Sequence, residues 1–291
     1  MTEAAPEAAP EAATVGRHPS LHGHTIAWER RGEGQGPTLV LLHGLATDRR
    51  VLIETCEPVF TAPGMPPSQR LYLELPGHGQ SPVSAAAKAA QAFSTDELVA
   101  TLGDTIRALC PDPVALVGYA FGGYLVQGLV RELVGVRGVF LICPTVEADF
   151  GRRTVPPRRV LRNHEELVFS DDPRERAAFD EVAVLQTPAT LERFQTLIHP
   201  ANIAADQDAM AATRARYVMS RPYLQSLAAY AGPVAIVCGR DDHWVGFEDA
   251  VRLVRAFARC EFQVLPDCGQ LLPIEATASL QRALASWLAR V

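Results

Sequence analysis

One segment limits the folds open to this chain more than any other. The unbroken apolar run Pro113-Val114-Ala115-Leu116-Val117 passes through Gly118-Tyr119-Ala120-Phe121-Gly122 into a helix-like stretch, Gly123 to Val130. A run this short, without polar alternation, reads as a strand covered on both faces. Glycines on either side of the three central residues let the chain turn sharply from strand to helix with the backbones in close contact. The segment therefore specifies a strand–turn–helix unit with Ala120 at its apex. Units of this kind belong to α/β folds built on a buried, mostly parallel sheet.

The rest of the chain repeats the same logic. Strand-length apolar runs fall at His24–Glu29, Thr38–Leu42, Arg70–Leu75, Val114–Val117, Gly138–Ile142, Val234–Cys238 and Glu261–Leu265. Helix candidates lie between and after them, at Val51–Phe60, Thr95–Leu109, Tyr124–Leu133, Phe247–Phe257 and Ala276–Leu288. Ser94-Thr95-Asp96-Glu97 supplies a capping signal for the second of these helices. The alternation breaks between Pro144 and Tyr230, where charge and proline rise and the patterns turn helical. The expected organisation is a core over 19–144 and 231–291, with a helical lid over 145–230 that shapes a pocket and shuts out water. Residues 1–18, which open on alternating Ala, Pro and Glu, are expected to be a disordered acidic tail.

Charge and composition exclude several functions. A net charge of −6 argues against a nucleic-acid partner. No apolar stretch approaches the roughly 20 residues of a membrane span, and Met1 to Thr14 has neither the basic nor the apolar region of a secretory signal. Cys56, Cys110, Cys143, Cys238, Cys260 and Cys268 show no C-x-x-C pair or metal-ligand spacing, and read as reduced, structural thiols of a cytoplasmic protein. Lys88 is the only lysine, so nearly all cationic side chains are arginines, which can grip anions bidentately. No metal is expected. No cofactor is expected either: Gly122-Gly123 belongs to the strand–helix turn, and Gly32–Gly36 reads as a turn between strands.

Four motifs in order carry a resemblance. His43-Gly44 follows one strand, and Leu75-Pro76-Gly77-His78-Gly79-Gln80-Ser81 follows the next, with Glu74 before it. The 118–122 turn has the G-x-S-x-G spacing with alanine in place of serine. Gly239-Arg240-Asp241-Asp242 follows a later strand, and Gly269-Gln270 with Glu275 closes the series. Together they span roughly residues 20 to 290, and on them the chain resembles the α/β-hydrolase superfamily. The resemblance is to its lidded branch of esterases, haloperoxidase-like enzymes and C–C bond hydrolases.

The resemblance implies an acid at Asp242, a nucleophile position at Ala120 and a base position at Gln270. Two of these three positions depart from the family pattern, and both departures remove chemistry: a methyl group cannot attack, and an amide cannot take up a proton near neutral pH. It also implies a backbone oxyanion hole from the N–H groups of Leu45 and Phe121, independent of the lost side chains. Asp242 could then serve as a base, or be a structural acid held by Gln270. His43, Asp48, Arg49, Tyr119 and His243 are candidate substrate contacts; His78 and Cys143 read more simply as structural. The lid arginines (Arg152, Arg153, Arg158, Arg159, Arg162) are an anion grip or a solvated face. The expected function is a cyclase, lyase or isomerase of specialised metabolism acting on a small carbonyl-bearing molecule. The alternatives are a non-catalytic pseudo-hydrolase binding a ligand or partner, and an ester or C–C hydrolase carrying inactivating substitutions.

Overall fold

The computed structural model describes residues 13–110, 113–164, 166–220 and 227–291. Its main sheet has eight strands in the order β1-β2-β4-β3-β5-β6-β9-β10. These are β1 (Thr14–Pro19), β2 (Thr25–Arg31), β3 (Thr38–Leu42), β4 (Arg70–Leu73), β5 (Val114–Tyr119), β6 (Gly138–Ile142), β9 (Val234–Gly239) and β10 (Cys260–Leu265). β2 runs antiparallel to both its neighbours, and the strands from β4 onward are parallel. The sheet is therefore the mostly parallel α/β sheet that the strand–turn–helix segment implied, and it agrees with the fold expected from the motif resemblance.

Why the strands read as unbroken apolar runs is visible in β5. Val114 and Leu116 enter the hydrophobic cluster on one face, while Ala115 and Val117 enter the cluster on the other. The first face is covered by α3 (Thr95–Leu109) and α4 (Phe121–Glu132), through Leu98, Leu102, Leu125 and Leu129. The second is covered by α1 (Arg50–Phe60) and the C-terminal helix 277–288, through Leu52, Cys56 and Trp287. Helix α3 begins where the capping signal placed it: Ser94 accepts from the Glu97 N–H, and Glu97 accepts from the Ser94 N–H. A short helix, α2 (Ala85–Ala90), precedes it.

Two expectations need correction. Thr14–Pro19, inside the stretch expected to be disordered, forms edge strand β1, in register with β2 from Thr14↔Arg30 to Pro19↔Thr25. Its side chains are mostly exposed, so backbone pairing holds it, a signal that apolar patterning does not carry. Gly16 lets it lie flat on Trp28, since a Cβ there would come within 2.4 Å of the indole. Residues 1–12 of the expected tail lie outside the described residues.

The insertion between β6 and β9 is not purely helical either. It holds α5 (Pro173–Val182), α6 (Pro188–Arg193), a π turn (Phe194–Ile198), α7 (His199–Ala204) and α8 (Gln207–Ala215). It also holds a two-residue parallel ladder between β7 (Arg162–Asn163) and β8 (Leu185–Gln186). Strands this short lie below the length at which periodicity is readable. The insertion is fastened to the core at several points. Asp206 caps α8 and donates its N–H to Gly77 O at 2.8 Å, while its carboxylate meets Lys88 Nζ at 3.4 Å. Glu275 accepts from Val184 N at 2.7 Å and Leu185 N at 3.0 Å. No helix among the described residues is long and apolar enough to cross a membrane.

The core backbone is closely packed at Gly122, where a Cβ would sit 2.2 Å from Leu42 O and 2.5 Å from His43 O. Neither atom can move without breaking β3. Gly122→Ala should lower the unfolding free energy by more than about 2 kcal/mol in a denaturant titration, as overpacking against backbone does. Gly36→Ala, with nothing within 4 Å of the added methyl, should stay within about 0.5 kcal/mol of the parent.

Candidate functional site

The loops at the carboxyl ends of β3, β5, β6, β9 and β10 converge under the lid, as ligand sites of open α/β sheets do. At their centre is the β5–α4 turn. Ala120 has φ 52° and ψ −113°, a conformation that costs a non-glycine residue on the order of 1–3 kcal/mol. Neighbouring strands and helices over-determine it: Ala120 N donates to Ile142 O at 2.9 Å, and Ala120 O accepts from Tyr124 N and Thr145 N, each at 3.2 Å. The loop after β3 comes up against it, since a Cβ on Gly44 would lie 3.1 Å from the Ala120 Cβ. Leu45 and Phe121, on either side of Ala120, both line the cavity. No acceptor among the described residues takes up the N–H of either.

Asp242 is fully buried in the turn after β9. Its Oδ1 accepts from Trp244 N at 2.9 Å and Val245 N at 3.0 Å. Its surroundings fix the Gln270 carboxamide with the NH2 toward it, donating to Oδ2 at 2.6 Å and Oδ1 at 3.2 Å. Burial pushes the Asp242 carboxyl up to about 6, against the opposing pull of the Val245 and Trp244 N–H groups. Gln270 is also tied to the apex, because its carbonyl accepts from the Tyr119 hydroxyl at 2.9 Å. Glu275 accepts from Gly269 N at 2.7 Å and so braces this loop against the lid segment it also holds. Ala120, Tyr119, Asp242 and Gln270 are thus brought together. Gln270 and Tyr119 line the cavity, whereas Asp242 does not.

Other sequence candidates are placed away from the cavity. His43 is fully buried; its Nε2 accepts from Leu75 N at 3.1 Å and its Nδ1 donates to Gly44 O at 2.8 Å. Burial, with His78 beside it, holds it neutral, its pKa lowered to about 3. It shapes the turn and is not among the residues that line the cavity. His78 does likewise, accepting from Ala46 N at 3.0 Å and donating to Pro76 O at 3.0 Å. Asp48 accepts from Arg50 N and Arg50 Nη2, at 2.9 and 2.7 Å. Arg49 bridges Glu29 at 2.8 Å and Glu74 at 2.6 Å. The loop that holds Asp48 and Arg49 does meet the cavity, but through Leu45, Ala46 and Thr47. His243 turns to the lid, its Nε2 2.9 Å from Glu181 O. Cys143 is buried, and burial pushes its thiol well above the ordinary range.

The cavity has a volume of about 210 Å³. Its lid side supplies groups that the sequence did not single out, above all Tyr217, Phe150 and Arg214, together with Thr145 at the end of β6. Tyr217 stacks on Tyr124, with ring centroids 5.6 Å apart, and its hydroxyl lies 3.1 Å from Thr145 Oγ1. No spacing rule pairs a lid tyrosine with a residue 72 positions upstream, so no sequence signal pointed to it. Of the five lid arginines considered together, Arg153 alone lines the cavity. No group of three His, Cys, Asp or Glu side chains among the described residues could hold a metal ion.

The sequence profile of the alpha/beta hydrolase family matches residues 39–280, and the chain belongs to that family. Its fold is similar to that of an alpha/beta superfamily hydrolase from Oenococcus oeni PSU-1, at 24% identity and a TM-score of 0.80 over 94% of this chain and 98% of that one. It is also similar to an esterase from Exiguobacterium antarcticum, at 15% identity and a TM-score of 0.72 over 94% of this chain and 98% of that one. A bromoperoxidase from Bacillus anthracis gives 16% identity and a TM-score of 0.70 over 95% of this chain and 100% of that one. A search of curated proteins returns no match. The family and these neighbours are mostly enzymes, and the likeness to the solved structures is one of fold.

Asp242 gives the site a stability signature. An acid whose pKa rises on folding keeps its proton where the unfolded chain has lost it, so its contribution to stability falls as pH rises from about 4 to about 6. Asp242→Asn has no such proton to lose. The stability of the parent relative to this variant should therefore fall across that window, by about 3 kcal/mol in total, and stay flat above about pH 7. Paired melting curves from pH 4 to 8 measure it.

Proposed function

We propose that this chain is a non-hydrolytic enzyme in which Ala120, Gln270 and Asp242 occupy the positions of a catalytic triad that has lost its nucleophile and base. Its substrate is a small carbonyl-bearing molecule, and its reaction is one that needs a polarised carbonyl but no acyl-enzyme: elimination, ring closure or isomerisation. The observation that carries the reading is the apex itself. Ala120 keeps a strained backbone that no alanine side chain requires, and Leu45 and Phe121 both line the cavity around it, which supports reading their N–H groups as the donors. Two preorganised N–H donors stabilise an oxyanion or enolate, and each is worth on the order of 3 kcal/mol in a water-poor site. Gln270 meanwhile occupies the buried carboxylate with its amide NH2, a stable arrangement that cannot relay a proton.

Proton transfer then falls to side chains that do line the cavity. The Tyr217 phenol, held by Thr145, and the Glu181 carboxyl are the candidates. No histidine lines the cavity, and this favours one second reading, a protein that binds its ligand without turning it over. The two share the same pocket and differ in whether Tyr217 or Glu181 acts on the bound molecule.

Hydrolysis of a panel of small esters by the parent and by the double variant Ala120→Ser, Gln270→His tests the central claim. The parent should be inert, and the double variant should exceed it by at least about a hundredfold, because the retained donors and pocket then serve a complete triad. Comparable turnover by the parent would overturn the reading.

A further inference from the structure

The cavity wall has a charge balance unlike the rest of the molecule. The chain carries 33 acidic residues against 27 Lys and Arg, and its arginines are commonly spent on carboxylates: Arg49, Arg50, Arg70 and Arg252 all make ion pairs. The two arginines that line the cavity, Arg153 and Arg214, make none among the described residues. Glu181 is the one acid that lines it, so the wall carries a net positive charge.

Arg153 is also held in place without being neutralised. Its Nε donates to Glu147 O and its Nη1 to Trp244 O, both at 2.9 Å, and its Cζ lies 3.8 Å from the Phe150 ring centroid. These partners are carbonyls and an aromatic face, which orient a guanidinium while leaving its full charge. Its Nη2 is shut off from solvent and from the cavity, and another polar neighbour of the guanidinium is the uncharged Tyr217 hydroxyl. A guanidinium at the cavity wall whose charge no carboxylate offsets suits a ligand carboxylate.

Position relative to the apex follows from a chain of contacts. Arg153 Cζ is 5.8 Å from the Tyr217 ring centroid, the Tyr217 hydroxyl meets Thr145, and Thr145 N donates to Ala120 O. The cation and the apex are therefore linked through Tyr217 and Thr145 along one cavity, with Phe194 and Ile198 giving an apolar wall.

We infer that the ligand of this cavity is a carboxylate that also carries a carbonyl, its anionic end recognised by Arg153, with Arg214 also on the wall, and its carbonyl directed at Leu45 and Phe121. The inference rests on reading the cavity as the substrate site, and it narrows the substrate class from carbonyl compounds to oxo acids and their kin.

Isothermal titration with 4-oxo-4-phenylbutanoate, and with its primary amide of nearly the same shape, tests this by binding alone. The parent should bind the carboxylate at least tenfold more tightly than the amide. Arg153→Gln should erase that preference and leave amide binding within about twofold. Arg153→Lys keeps the charge without the fork and should fall between, which guards against a folding defect in the first variant. Equal affinity for the two probes, a preference that survives Arg153→Gln, or binding of neither probe would each overturn the inference. Because turnover is not read, failure here leaves the absence of hydrolysis standing, and hydrolysis by the parent leaves the anion preference standing.

Discussion

The contact between Gly122 and the end of β3 is the constraint from which the site follows. With hydrogen in place of a side chain, the first turn of α4 settles onto the carbonyls of Leu42 and His43. That contact fixes how far the helix can be drawn toward the sheet, and hence where the β5–α4 turn must fold back. Gly118 permits the same closeness from the strand side, since a Cβ there would meet Gly122 O and Gly123 at 2.7 Å. Ala120 adopts positive φ because both flanks are immovable. The strain is a property of the scaffold, so it persists whichever side chain sits at the apex.

Around that turn the polar groups are satisfied in a closed circuit. Asp242 receives two backbone N–H groups and the Gln270 amide, Gln270 receives the Tyr119 hydroxyl, and Glu275 receives three backbone N–H groups from the same loop and the lid. A carboxylate in such surroundings does not need a cation beside it, because oriented dipoles supply much of what water would. His43 and His78 belong to the same economy as neutral turn-formers, each accepting from one backbone N–H and donating to one carbonyl.

The sequence carried the framework well, and for a physical reason. Strands buried on both faces must be apolar throughout, so β3, β5, β6 and β9 announce themselves, and the helix caps add their own local chemistry. Edge strand β1 did not, because its hold on the sheet is backbone pairing that any exposed residues can supply. Loop positions were the weaker part. Asp48 and Arg49 sit beside pocket residues in sequence, yet each finds a closer partner of opposite charge and turns away. In the lid, Arg152 and Arg153 are neighbours with the same side chain, but only one faces the cavity. That distinction depends on where Glu147, Phe150 and Trp244 come to rest, which is long-range information.

The ion pair of Lys88 with Asp206 has a use beyond holding α8 to the core. Because Lys88 is the chain's only lysine, the molecule offers a single side-chain amine, and it stands at the seam between lid and core. Asp206 is at once the cap of α8 and, through its N–H, the anchor on Gly77. A reagent selective for ε-amines would therefore label one defined point on this seam, turning a modest surface contact into an address from which opening of the lid can be watched.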